Sequence, residues 1–517
     1  MEFCYKLFFI FLSSVYFIQA AKILAFFPLG GASHFNIPEV IFKALAARGH
    51  NITLVSSYPQ RPPIPNINDI DVSSARGTRK NSLPFEVVQT QLQSTRRNFN
   101  FIANVSRTYC DIVFDFPEIK NLLNRDKEFD LVMTEIFGAD CAVGFAWKFK
   151  APLVSILISR GTPWSLNRIG NPSNPSYLHV MHSDFPRKMN FIQRFINSYW
   201  YLYFSFFYYY SHNGEITDQI SRKLFGEDVP PVNDIVYNTS LILVNNHYTL
   251  DQPHPLVPNY VEVAGIHIKK PKPLPADIQK FMDEAEYGVI YFSLGSLVRL
   301  SSLPNETIQA FKDTFAELPQ KVLWKFEHEL KDIPSNVMIG KWFPQNDIFQ
   351  HPNMKLFISH GGNSGSIEAV HYGIPMVGIP LFFDQHRIIH NFVEKGVAVR
   401  LGINELTKNN ILSCIKTVIN DEGYAKRMKE LSALFHNRPL KPLDTAVYWI
   451  EYVIRHKGAF HLRTAASTLS WYQYLLLDVI AFLLAIFIFV MLILKITFKY
   501  IYKSIKNIFS FEKIKTN

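Results

Sequence analysis

The stretch from Phe357 to Gln385, FISHGGNSGSIEAVHYGIPMVGIPLFFDQ, constrains this chain more than any other. The run Lys355-Leu356-Phe357-Ile358-Ser359 reads as a buried parallel strand, His360-Gly361-Gly362 as the turn after it, and Ser364 to about His371 as a helix. Ile374 to Ile379 starts the next strand. A glycine turn feeding a helix presents unpaired backbone N–H groups and the positive end of a helix dipole, which together suit a diphosphate. A G-x-G-x-x-G dinucleotide fingerprint fails at its first position, which is His360.

Two carboxylates extend this pattern. Glu368 lies four residues after Ser364, on the same helix face and about 6 Å further along the axis. One end of that face can meet phosphate and the other a ribose diol. Asp384-Gln385 follows the second strand, at the carboxyl edge of a parallel sheet where open α/β folds bind ligands. An Asp beside a Gln can hold several sugar hydroxyls.

The whole span resembles the signature of the UDP-glycosyltransferases: strand, Ser-His-Gly-Gly, acid on the helix, Gly-Ile-Pro, Pro380, then Asp384-Gln385. It is most similar to the membrane-bound animal branch, and to the insect members in particular. The resemblance implies an α/β fold of the GT-B type, two Rossmann-like domains facing a cleft, with one C-terminal transmembrane helix.

The 517 residues exceed one ordinary core, so two domains plus accessory segments are expected. Residues 1–20 combine Lys6, two short apolar runs and small residues at Ala20 and Ala21, the pattern of a cleavable secretory signal. Residues 474–494 form an almost unbroken apolar run long enough to span a bilayer. The tail, 495–517, carries six lysines against Glu512 and is expected in the cytosol, with the body luminal. That tail supplies +5 of the formal +10 charge, which removes most of the case for nucleic-acid binding. Its last five residues, KIKTN, resemble the Lys-x-Lys-x-x retrieval signal of endoplasmic-reticulum membrane proteins; the alternative is a plain basic tail. Sequons at Asn51, Asn104, Asn238 and Asn305 fit a luminal body, although Asn51 opens a strand. Cys4 leaves with the signal, and a Cys110–Cys141 bridge is one option among the remaining three cysteines.

An acceptor-binding domain is expected over 21–264. Lys22 to Phe27 reads as a strand, Asn36 to Arg48 as a helix and Asn51 to Ser56 as the next strand. Further strands follow at Phe129 to Thr134 and Pro152 to Ser159, with a helix from Cys141 to Phe149 between them. The aromatic run Met189 to Tyr210 admits two readings, an acceptor wall or membrane-apposed lid and a core helix. Lys269 to Pro275 is a stiff proline-rich connector. The UDP-sugar-binding domain is assigned to 265–470, and its last helix, near Leu443 to Lys457, returns to the first domain by resemblance.

Glycosyl transfer needs a base, a stabilised leaving diphosphate and a grip on the sugar. His34 follows a strand and a Gly-Gly loop, and imidazole suits base work near neutral pH. A lone histidine after a strand is more often structural; the resemblance reverses this, because Gly-x-Ser-His matches the family's catalytic position. The family's partner acid falls on Glu135, a longer side chain than the usual Asp, while Asp140 lies five residues on. Either can serve. The resemblance assigns uracil stacking to Trp342, its polar edge to Gln345, and the phosphate side to Ser293, Gly295 and Ser296. It assigns the leaving diphosphate to His360, Gly361, Gly362, Ser364 and Gly365, the ribose to Glu368, and the transferred sugar to Asp384 and Gln385. Ser364 and Ile388 stand where Asn is frequent.

No cofactor and no metal are expected, with the UDP-sugar as co-substrate; His386, His390 and Asp384 make a poor ligand set. The implied function is inverting transfer of a hexose, glucose by the insect resemblance, to a small lipophilic acceptor in the endoplasmic reticulum. Vertebrate relatives use UDP-glucuronate, whose carboxylate would want a cation such as Arg387. A catalytically impaired binding protein is the alternative, and homo- or hetero-oligomers are open.

Overall fold

Apolar strands alternating with helices build two parallel sheets. The computed structural model describes residues 20–515 except 76–80, 125–127, 182 and 207–213. The signal segment, the end of the aromatic run and the last two residues of the tail therefore lie outside the described residues. Residues up to Arg463 form one compact unit, and Thr464–Asn517 a second.

In the first unit, β1 (Lys22–Phe27) leads through α1 (Ala32–Ala47) to β2 (Asn51–Ser56) and β3 (Ile67–Asp71). The short β4 (Leu83–Pro84) leaves this sheet, and α2 (Thr95–Phe114) follows. Then come β5 (Leu131–Glu135), β6 (Leu153–Leu157), α3 (Phe191–Leu202), β7 (Thr239–Val244) and β8 (Tyr260–Glu262). The strand order is β3-β2-β1-β5-β6-β7-β8, every pairing parallel. The central strands are buried on both faces, as parallel sheets require.

α1 starts four residues earlier than the sequence suggests, so His34 sits in its first turn rather than in a loop. Gly31 is the N-cap, and Pro38 lies inside the helix. Cys110 on α2 and Cys141 are bridged, with Cα atoms 6.4 Å apart.

The second sheet uses β9 (Val289–Ser293), β10 (Val298–Arg299), β11 (Lys321–Lys325), β12 (Val337–Gly340), β13 (Met354–Ser359), β14 (Met376–Gly378) and β15 (Ala398–Arg400). Its order is β12-β11-β9-β13-β14-β15, while β10 pairs with β4 outside it. α4 (Asn363–Tyr372) follows β13, and α5 (Gln385–Glu394) follows β14. Both sheets reverse strand order beside their first strand, between β1 and β5 and between β9 and β13. Such switch points open crevices at the carboxyl ends of strands.

Two segments tie the sheets together. Leu83, Phe85, Val88 and Leu92 leave the first domain and are buried with Phe292, Phe311 and Trp324 of the second. α6 (Pro442–Arg455) packs Ala446, Val447 and Ile450 against Phe42 of α1 and Leu241 of β7. Arg48 grips Glu451 through both oxygens, Nε at 2.5 Å and Nη2 at 3.0 Å.

In the second unit, a short helix Trp471–Tyr474 ends at Leu476, whose φ is 55°, and a long helix runs from Leu477 to Lys515. The apolar helix thus begins three residues later than the expected 474 and continues beyond 494. Among the described residues one helix, Leu477–Asn507, is long and apolar enough to cross a membrane.

Candidate active site

The two switch points face one cavity of about 310 Å³. The first domain contributes Ser33 and His34 from α1, Phe101 and Ile102 from α2, and Phe137. The second contributes the Ser293–Val298 loop, Lys325, Trp342, Gln345, His360, the start of α4, Glu368 and Phe382–Gln385. Of the residues assigned to catalysis or to the UDP-sugar, Glu135, Asp140 and Gly361 stand behind this lining, and the others reach it; His386, Arg387, Ile388 and His390 do not line it.

His34 is held from behind. Its Nδ1 lies 2.5 Å from Oε1 of Glu135, which ends β5 beside β1, and its ring meets the edge of Phe137 at 4.6 Å. The longer glutamate spans the distance from the strand end. Asp140 does something else. Its two oxygens accept from Arg168 Nη1 at 3.1 Å and Nη2 at 2.9 Å, with both side chains buried. The choice that the sequence left open between Glu135 and Asp140 therefore falls to Glu135. Asp140 is a buried counter-ion.

The opposite wall is an anion-ready surface. α4 begins at Asn363 without a side-chain cap, so its first N–H groups remain available to a ligand. Gly295 and Gly361 each take φ of +80°, a left-handed conformation. A Cβ on Gly295 would lie 2.6 Å from the His360 ring, so glycine there also makes room for the imidazole. Burial, and then the nearby Lys325 charge, push His360 down to about 4. These surroundings favour the neutral imidazole at pH 7. Fixed positive charge comes from Lys325, whose Nζ donates to the Gly295 carbonyl at 2.5 Å and to Asn81 Oδ1 at 3.2 Å. Lys325 also lies 5.7 Å over the Trp342 ring. The sequence reading missed it; the available signal was a single cation closing the buried strand KVLWK.

Further along α4, Gln345 Nε2 donates to Glu368 Oε2 at 2.5 Å. Gln345 thus stands at the Glu368 end of the cavity and not apart from it. Asp384 is buried, which pushes its carboxyl up to about 6 against the pull of Arg160 and His34. Gln385 uses its Oε1 to accept from Leu381 N at 2.9 Å and Phe382 N at 3.2 Å, which shapes the loop before α5. Ile388, where an amide is frequent, is fully buried on α5. Arg387 turns away from the cavity toward Asp251, 3.7 Å off, and the Phe185 carbonyl at 3.4 Å. Asn363 was also missed: its Nδ2 donates to the Ile158 and Asn245 carbonyls at 3.1 and 2.8 Å, joining α4 to the first domain.

Comparison with known proteins gives the chain its relatives. The family model "UDP-glucoronosyl and UDP-glucosyl transferase" matches residues 21–510. UDP-glucosyltransferase 2 of Dactylopius coccus is 60% identical over 469 residues, 91% of each chain. UDP-glucuronosyltransferase 2B10 of Homo sapiens is 36% identical, covering 86% of this chain and 87% of its own. Among solved structures, the calicheamicin glycosyltransferase CalG4 superposes with a TM-score of 0.55 at 16% identity, covering 84% of this chain and 99% of its own. A UDP-glucosyltransferase from Polygonum tinctorium gives 0.55 at 15% identity with the same coverage. These likenesses show the GT-B fold, and the sequence relatives carry the activity class. The chain is a UDP-glycosyltransferase, a member of the UDP-glucoronosyl and UDP-glucosyl transferase family.

Proposed function

We propose that the enzyme transfers glucose from UDP-glucose, with inversion, to a hydroxyl of a small lipophilic acceptor. The observation that carries this reading is the His34–Glu135 pair facing the start of α4 across one cavity. His34 Nε2 takes the acceptor proton as the oxygen attacks the anomeric carbon, and Glu135 steadies the imidazolium. The bond from that carbon to the diphosphate oxygen breaks on the opposite side. The departing charge is met by the α4 N–H groups, His360 and Lys325, which are preorganised for it without a metal. Glu368 takes the ribose and Asp384 the sugar, while Trp342 stacks on uracil.

Phe101, Ile102, Phe137, Phe382 and Phe383 give the His34 end an apolar surface suited to an aromatic or alicyclic acceptor. Arg387 turns toward Asp251 and the Phe185 carbonyl, and among the described residues no arginine lines the 310 Å³ cavity itself; Arg160 and Arg387 meet Asp384 in a neighbouring pocket instead, an arrangement we read as favouring glucose over glucuronate. The 60% identical relative is named a glucosyltransferase. We place the cleft on the luminal side of the endoplasmic-reticulum membrane, from the signal, the apolar helix and the lysine-rich tail. The test is a donor comparison in microsomes: one phenolic acceptor with UDP-glucose or UDP-glucuronate, products identified by mass. A glucoside is expected, and a glucuronide alone overturns the donor assignment.

A further inference from the structure

Glu368 has two sides. Toward the cavity its Oε2 accepts from Gln345. Away from it, Oε1 lies 3.3 Å from Nε2 of His267, a side chain 3% exposed. His267 belongs to neither motif discussed so far; it sits in the turn between β8 and the proline-rich connector. That turn is braced. Gly265 takes φ of +89° with Phe435 packed below it, Ile268 N donates to Gly265 O at 3.0 Å, and Arg438 Nη1 donates to Ala264 O at 2.8 Å.

Neither ring nitrogen of His267 has a hydrogen-bond partner of good geometry among the described residues. Burying an imidazole in that state costs free energy unless a small rotation completes a bond. The acceptor within reach is Oε1 of Glu368. Each carboxylate oxygen can accept more than one hydrogen bond, so a group held on Oε1 fixes the plane in which Oε2 meets a ligand.

We propose that His267 is a positioning residue for the donor ribose. Its Nε2–H holds Glu368 Oε1 so that the carboxylate faces the diol, an inference that rests on Glu368 being the ribose contact. The turn that leaves the first sheet thereby reaches the nucleotide half of the site.

The experiment compares UDP-glucose with its 2′-deoxyribose counterpart in microsomes carrying the full chain. The ratio of their KM values is read for wild type, Glu368→Ala, His267→Ala and His267→Gln. The expected result is a ratio of about tenfold or more in wild type that collapses in Glu368→Ala and in His267→Ala. In His267→Ala, kcat at saturation changes less than twofold, and His267→Gln restores most of the ratio because its amide still donates. A wild-type ratio in His267→Ala, with collapse in Glu368→Ala, overturns the inference and leaves the ribose assignment standing. A wild-type ratio in Glu368→Ala overturns both. Equal losses on both donors in the two His267 variants mark a purely structural histidine and also overturn it.

Discussion

His34 and the two acids near it separate a catalytic arrangement from a structural one. Replacing His34 by Ala is expected to lower turnover by about 10²–10⁴ while UDP binding persists, read by single-turnover rates and UDP titration. Glu135→Gln should lower kcat with little change in donor KM. Asp140→Asn should behave differently, because it leaves the buried Arg168 guanidinium without its charge partner. Breaking such a pair costs about 3–5 kcal/mol, so the loss should appear in the denaturation midpoint before it appears in donor KM. Asp384 makes a pH prediction. With its carboxyl near 6, it is ionised at pH 7 and protonates as pH falls below about 6, where it accepts fewer hydrogen bonds from sugar hydroxyls. Donor KM should rise over that range, and Asp384→Asn should remove the rise at the expense of a higher KM throughout. That His34, Glu368 and Asp384 line one cleft was legible from motif and resemblance. The partner of His34 was not, because spacing cannot say that Arg168, 28 residues beyond Asp140, comes back to claim it.

At the scale of elements, the turn before α4 and the turn after β9 act as one device, since glycines at 295 and 362 leave room for the same imidazole. Gly295→Ala should weaken UDP binding, because its Cβ needs both a left-handed backbone and the space of the His360 ring. Isothermal titration with UDP checks this, and unchanged affinity would count against His360 in the diphosphate site. Of the two readings of the aromatic run, the core helix fails on the outer face of α3, where Phe191 is 70% and Phe195 65% exposed, while Trp200 and Tyr201 pack against the first core and Tyr201 lines a small cavity beside Arg160. Sequence period gave the helix its apolar stripe but not the side to which that stripe turns. β4 was illegible for a related reason: a two-residue strand has too few residues to show alternation, and its partner β10 lies more than 200 residues away.

At the scale of the whole molecule, four histidines shielded from solvent, the buried His247 and the half-buried His179, His360 and His371, are pushed down to about 4, chiefly by desolvation. Histidines in the unfolded chain bind protons near 6.5, before the folded ones do. Stability should therefore fall as pH drops from about 6.5 toward 4, seen as a lower unfolding midpoint at pH 5 than at pH 7. Phe85, 2% exposed and buried in the core of the other domain, should cost about 3–5 kcal/mol when cut to Ala, measured by the same unfolding curves. The sequence by itself determined the family, the parallel-sheet halves and the apolar helix near the end, since each is written in local period or in motif spacing within some thirty residues. Only the tertiary structure decided that Glu135 holds His34, that Arg387 turns away, that Lys325 and Asn363 join the cleft and that His267 backs Glu368. Those pairings join residues 30 to 244 positions apart, and their distances depend on how two sheets meet, which no local pattern encodes.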